Sequence, residues 1–143
     1  MDIKQLAMSF IATAAFGLIF NVPKNLLAHC GFVGMIGWFI YLLLVDYGLD
    51  SVFATFFAAF VVAVGSQLLA RAYKTPMTVF SVSGIIPLVP GGLAYEAMRH
   101  VVVNDYNMAI QLAAKAFMLS GAIAMGLVFS EVINQLTKTK GSR

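Results

Sequence analysis

From Phe80 to Glu96 the chain reads Phe-Ser-Val-Ser-Gly-Ile-Ile-Pro-Leu-Val-Pro-Gly-Gly-Leu-Ala-Tyr-Glu, placing hydroxyls, two prolines, a glycine pair and a carboxyl in an apolar stretch. Pro87 and Pro90 each remove a backbone donor and disturb the carbonyl one turn earlier, so a helix entering from Thr75 should end near Ile85 or Ile86. A second helix can then start at Gly91 or Gly92. Its first N–H groups lack intrahelical acceptors and carry the positive end of the helix dipole, and neither glycine has a Cβ to hinder approach. That arrangement suits a carboxylate. Ser81 and Ser83 offer hydroxyls from the first half, Tyr95 a phenol from the second, and Glu96 a group able to carry a proton. The plainer alternative is a Pro-kinked helix whose hydroxyls bond back to their own backbone. For Glu96, near the end of the stretch, an interfacial marker is the favoured reading.

The elements that position these residues are membrane-spanning helices. Hydrophobic residues make up 61% of the 143-residue chain and charged residues 10%, with a mean hydropathy of +0.90, outside the range of ordinary soluble domains. Charges punctuate the sequence almost regularly. Nineteen uncharged residues separate Lys4 from Lys24, 21 separate Lys24 from Asp46, 20 separate Asp50 from Arg71, and 21 separate Lys74 from Glu96. Each interval matches the ~20 residues that cross ~30 Å of hydrocarbon. A fifth apolar segment, Met108 to Gln135, carries Lys115 near its start and Glu131 near its end, both able to snorkel. The expectation is one all-α, polytopic transmembrane domain over residues 1–143, with spans at about 5–22, 25–45, 51–71, 75–97 (broken) and 108–135, and a basic tail at 136–143. Four spans result if the broken one is re-entrant.

Counting Lys and Arg by side favours five. Five crossings gather Lys24, Arg71, Lys74, Lys138, Lys140 and Arg143 on one face against Lys4 and Arg99, six to two. A re-entrant segment gives four to four. The positive-inside rule then puts the N-terminus outside and the basic tail in the cytoplasm. The first segment mimics a cleavage site at Ala12-Thr13-Ala14, but Asp2 cancels Lys4 and only Leu6 to Ile11 precede it, so it reads as a retained span.

Small residues mark helix contacts. Gly31, Gly34 and Gly37 recur every third residue in the second span, and Ser120, Ala124, Ala122 and Gly126 recur at four-residue spacing in the last. The glycine run lacks the preceding strand and the Lys-Ser/Thr ending of a phosphate loop, so it reads as packing. Cys30 is the sole cysteine, and His29 beside it points about 100° away on a helix, as a lone structural histidine rather than half of a metal pair. Gln67 lies one turn before Arg71, and with Lys74 they could draw anions to an inner mouth, although the topology rule already requires such cations there. No nucleophile–base pair or metal cluster lies in the spans, which argues against an enzyme and against a cofactor. The net charge of +3 is accounted for by topology rather than nucleic-acid binding.

Phe20-Asn-Val-Pro23, Cys30-Gly31, Gln67 with Arg71 ahead of Pro76, and above all Ile86-Pro-Leu-Val-Pro-Gly91 followed by Tyr95 resemble the small subunit of the split threonine/serine exporter family. That family includes two-component succinate exporters of bacterial inner membranes. The resemblance covers nearly the whole chain. It implies a subunit working with a larger membrane subunit of the same family, consistent with too few helices here to enclose a path without a partner or further copies of itself. The expected function is export of a small carboxylate such as succinate or another dicarboxylate. Threonine/serine export, or a scaffold that stabilises the partner, are the alternatives. Of the family's pattern, Pro87, Pro90, Gly91 and Tyr95 carry over and Glu96 does not.

Overall fold

The computed structural model describes residues 3–76 and 78–141, with side chains at 78 and 137–141 left aside. Arg143 and the side chains of Lys138 and Lys140, which enter the charge count, and Asp2, which enters the signal-peptide reading, lie outside the described residues. The elements are α1 (Ile3–Ile19), a 3-10 turn (Lys24–Leu26) leading into α2 (Leu27–Asp46), α3 (Ser51–Tyr73), α4 (Thr78–Gly84), a second 3-10 turn (Ile86–Leu88), α5 (Gly91–Val102) and α6 (Tyr106–Gly141).

Three helices end on a left-handed residue other than glycine. Asn21, Lys74 and Asn104 have φ of 62°, 55° and 66°. The following amide in each case reaches back five residues: Val22 to Gly17 O (2.9 Å), Thr75 to Ala70 O (3.1 Å) and Asp105 to His100 O (2.8 Å). These are Schellman closures, which satisfy carbonyls that hydrocarbon cannot solvate. Asp50 caps α3, its carboxylate accepting from the Val52 amide at 3.4 Å.

Close approach depends on small residues, as the lack of a hydrophobic drive in lipid requires. A Cβ at Gly31 would lie 3.0 Å from the Phe10 ring, one at Gly34 would collide with Thr13, and one at Gly37 with Val62. These contacts knit α1 to α2 and α2 to α3. Phe80 is fully buried beside Val22, Leu26, Cys30 and Ala70. Leu88 packs with Val33, Ala58, Ala59, Val62 and Ile123. The interior is thus small and aliphatic, while large side chains such as Phe32, Phe53 and Phe117 point outward, the inversion expected where lipid is the solvent.

Helix directions settle how the broken segment travels. α2 is antiparallel to α3, with His29 against Tyr73 at one end and Gly37 against Val62 midway. α4 runs alongside α2 in the same sense, since the Cys30 thiol donates to the Val79 carbonyl at 3.4 Å and Gly84 sits against Val33. α6 is parallel to α3. Phe56 meets Phe129 edge-on at 5.5 Å, and further along both helices Gln67 reaches Glu131 and Arg71 reaches Asn134. α5 folds back on α6 through the turn Val103–Asp105, so α4 and α5 share a direction and bend by only 50° at the break. A re-entrant segment would have made α6 antiparallel to α3. The chain therefore alternates through five segments, the fourth interrupted.

Helices Lys24–Asp46, Ser51–Tyr73 and Tyr106–Leu136 are individually long and apolar enough to cross a membrane, and the bent pair α4–α5, taken as one span, is a fourth. α1, at 17 residues, sits at the lower limit for a span. The last helix differs from the expected 108–135: its 36 residues measure about 54 Å, well beyond ~30 Å of hydrocarbon. Its second half packs on α3. Its first half pairs with α5.

Candidate functional site

The break is built from two successive tight turns. α4 stops at Gly84, and the 3-10 turn Ile86–Leu88 forms around Pro87, with Leu88 N–H donating to Ile85 O at 2.9 Å. Pro90, at φ −81° and ψ 54°, is then the centre of an inverse γ-turn in which the Gly91 amide donates to Val89 O at 2.8 Å. α5 begins at Gly91, where the prolines and glycines imply. The Gly91 donor is consumed locally. The free N–H groups at this helix start are those of Gly92 and Leu93, for which no backbone acceptor is present among the described residues; the first helical bond runs from Ala94 N to Pro90 O.

Two grooves flank the turn. One, of about 360 Å³, lies between α1 and α2 and is lined by Lys4, Gln5, Met8, Ser9, Trp38 and Pro87. Gln5 is held there by the Trp38 indole, which donates to Oε1 at 3.3 Å. The other, of about 410 Å³, lies between α5 and α6; Val89, Pro90, Gly91, Ala94, Ala113 and Ser120 are among its lining residues. A Cβ placed on Gly91 or Gly92 would meet nothing within 4 Å. Those glycines leave an open approach to the α5 start, and crowding inside this chain is not what requires them.

The site residues expected from sequence do not all converge. Ser81 and Ser83 are buried in α4, facing the α1–α3 bundle, and the Ser83 hydroxyl bonds back to Val79 O at 3.3 Å. Gly91, Gly92 and Tyr95 lie beyond the turn, with Tyr95 66% exposed. Glu96 accepts from Arg99 Nη2 at 2.9 Å on an exposed side of α5 and meets none of the other expected site residues.

Gln67 and Arg71 instead join a second polar locus. Gln67 is buried against α6 and donates from Nε2 to Glu131 Oε2 at 3.5 Å, while Gln135 Nε2 donates to Glu131 Oε1 at 3.2 Å. Arg71 donates to Asn134 Oδ1. Ser130, 1% exposed, holds a hydroxyl with no partner. The sequence by itself marks Glu131 as a group able to snorkel and does not single out Ser130 or Asn134. The available signal was the four-residue spacing Ala59–Ala63–Gln67–Arg71 facing Gly126–Ser130–Asn134. Gly126 closes this seam, since a Cβ there would lie 2.7 Å from the Phe56 carbonyl oxygen.

Fold and site together define a multi-pass helical membrane protein with a Pro/Gly-interrupted fourth segment and a polar seam between its third and last helices. A sequence model described as Threonine/Serine exporter, ThrE, matches residues 5–133. The chain belongs to the threonine/serine exporter family. An uncharacterized protein of Haemophilus influenzae is 33% identical over 125 residues, which cover 82% of this chain and 42% of that relative. The chain therefore spans less than half the length of that curated relative. No solved structure matches it.

Proposed function

We propose that this chain is the smaller subunit of a secondary transporter that exports a small carboxylate-bearing solute across a bacterial inner membrane, acting with a larger membrane subunit of the same family. The observation that carries the reading is the open helix start at Gly91 and Gly92, directly after a non-helical turn in a membrane segment. Backbone donors left free at such depth need a polar visitor, and a carboxylate is the best match to the dipole. The longer Haemophilus relative supports the idea that further chain accompanies this unit. The basic ends at Lys24, Arg71 and Lys74 support an orientation with that face in the cytoplasm.

Succinate and the hydroxy amino acids share the carboxylate that the helix start would bind. The family description names threonine and serine, which favours an amino acid over a dicarboxylate, and both belong in the same assay. The test is flux from loaded vesicles holding this chain and its larger subunit, with Gly91→Val and Gly92→Val combined. The open space at both positions means the variant should fold and insert normally, and assembly with the larger subunit is measured alongside. Abolished flux with normal assembly supports the reading. Unchanged flux refutes it, and lower partner abundance with normal flux per complex supports the scaffold alternative.

A further inference from the structure

We infer that Glu131 is the proton-carrying group of this transporter, held in the α3–α6 seam by Gln67; the inference rests on the transport reading above. Depth is the first reason. Parallel packing sets Glu131 level with Gln67, six residues, or about 9 Å, before the last residue of α3, and so inside the stretches Ser51–Tyr73 and Tyr106–Leu136 that are long and apolar enough to cross a membrane. A carboxylate at such a position is a functional group by default.

The choice of partners is the second reason. Among the described residues no cation lies within salt-bridge distance of Glu131. Among the described residues its oxygens accept from the amides of Gln67 and Gln135. A lysine or arginine partner would lock the carboxylate in its charged form, whereas an amide serves both forms. Gln67 Nε2 donates to the carboxylate, and after an amide rotation Gln67 Oε1 accepts from the protonated carboxyl. Among the described residues the nearby guanidinium, on Arg71, is engaged by Asn134. Lys74, at the end of α3, is the other charged group on that helix near this end.

Ser130 is the third and independent reason. Its hydroxyl is buried on the face turned to α3, one residue before Glu131 and between Gly126 and Asn134, and has no partner. As the adjacent residue on the helix it points about 100° from Glu131 and does not bond the carboxylate, but a buried, unpartnered hydroxyl in the same seam can accept from a water that delivers the proton. In the coupled step one O–H bond forms at a Glu131 oxygen with a proton from one aqueous face. The same bond breaks to release the proton to the other face.

The test uses the assembled complex in vesicles with a trapped pH dye. Wild type should move protons with solute and respond to an imposed pH gradient. Glu131→Gln should lose solute-linked proton movement and that response, while Glu131→Asp, which keeps a carboxylate, should restore both in part. Glu96→Gln, altering the exposed carboxylate on α5, should couple like wild type. Full coupling in Glu131→Gln, loss in Glu96→Gln alone, or wild-type flux that follows a sodium gradient and ignores pH would overturn the assignment. Wild-type vesicles that move no solute at all would instead overturn the transport reading itself.

Discussion

Replacing Gly126 by valine tests the parallel α3–α6 pairing on which both the five-segment path and the Glu131 seam depend. A Cβ at this position falls 2.7 Å from the Phe56 carbonyl oxygen and 3.0 Å from both Ala59 Cβ and Phe60 N. Two of those atoms are backbone and cannot rotate away. Because ordinary carbon contacts lie at about 3.5–4.0 Å, the helices must separate by roughly 0.5–1 Å before the two methyls are accommodated. Overpacking of this kind destabilises by about 1–3 kcal/mol. At a few degrees per kcal/mol for a chain of this size, Tm should fall by roughly 3–10 °C. Glu131 lies about 7.5 Å further along α6, where its 3.5 Å bond to Gln67 is already at the outer limit, so the same displacement breaks it. Gly121→Val is the matched control, in the same helix with nothing within 4 Å of its Cβ. Thermal unfolding of the purified protein in detergent should rank Gly126→Val below Gly126→Ala, and both below wild type and Gly121→Val. Equal stability of the two valine variants would refute the close pairing.

Other outcomes follow from single contacts. Asp50→Ala removes the cap on α3 and should destabilise by about 1 kcal/mol, read as a lowered Tm; no change would mean that the 3.4 Å bond to Val52 is not populated. Tyr73→Phe deletes the 2.7 Å hydroxyl–imidazole bond to His29 that ties the ends of α2 and α3, and should destabilise by about 0.5–1.5 kcal/mol in the same assay. In a Cys30→Ser background, cysteines placed at Thr75 and Asn104 should be labelled from opposite faces by a membrane-impermeant maleimide, since α4 and α5 share one direction. Labelling from the same face would restore the re-entrant path.

Regular charge spacing made the apolar segments legible, because each charge must reach an interface and the bilayer fixes the distance between interfaces. Pro87, Pro90 and Gly91 likewise made the break legible, since their effects act within a turn of the residue itself. The rotation of Ser81 and Ser83 away from Gly91 was not legible. It follows from two consecutive turns whose dihedral angles the residue types do not determine. The Gln67–Glu131 contact was not legible for a similar reason: the two residues lie 64 apart, and which faces of α3 and α6 meet depends on the tight contact at Gly126. The expected segment 108–135 matches the part of α6 apolar enough to cross a membrane, Tyr106–Leu136; the polar helical extension to Gly141 carries no hydrophobic signal and was not legible.

The most direct measurement of the central claim is solute flux in vesicles containing this chain with and without the proposed larger subunit, tested against labelled threonine, serine and succinate. The account predicts carboxylate-specific flux only when both subunits are present. Equal flux from this chain alone would contradict the split-subunit reading, and no flux of any carboxylate from the assembled pair would contradict the transport function.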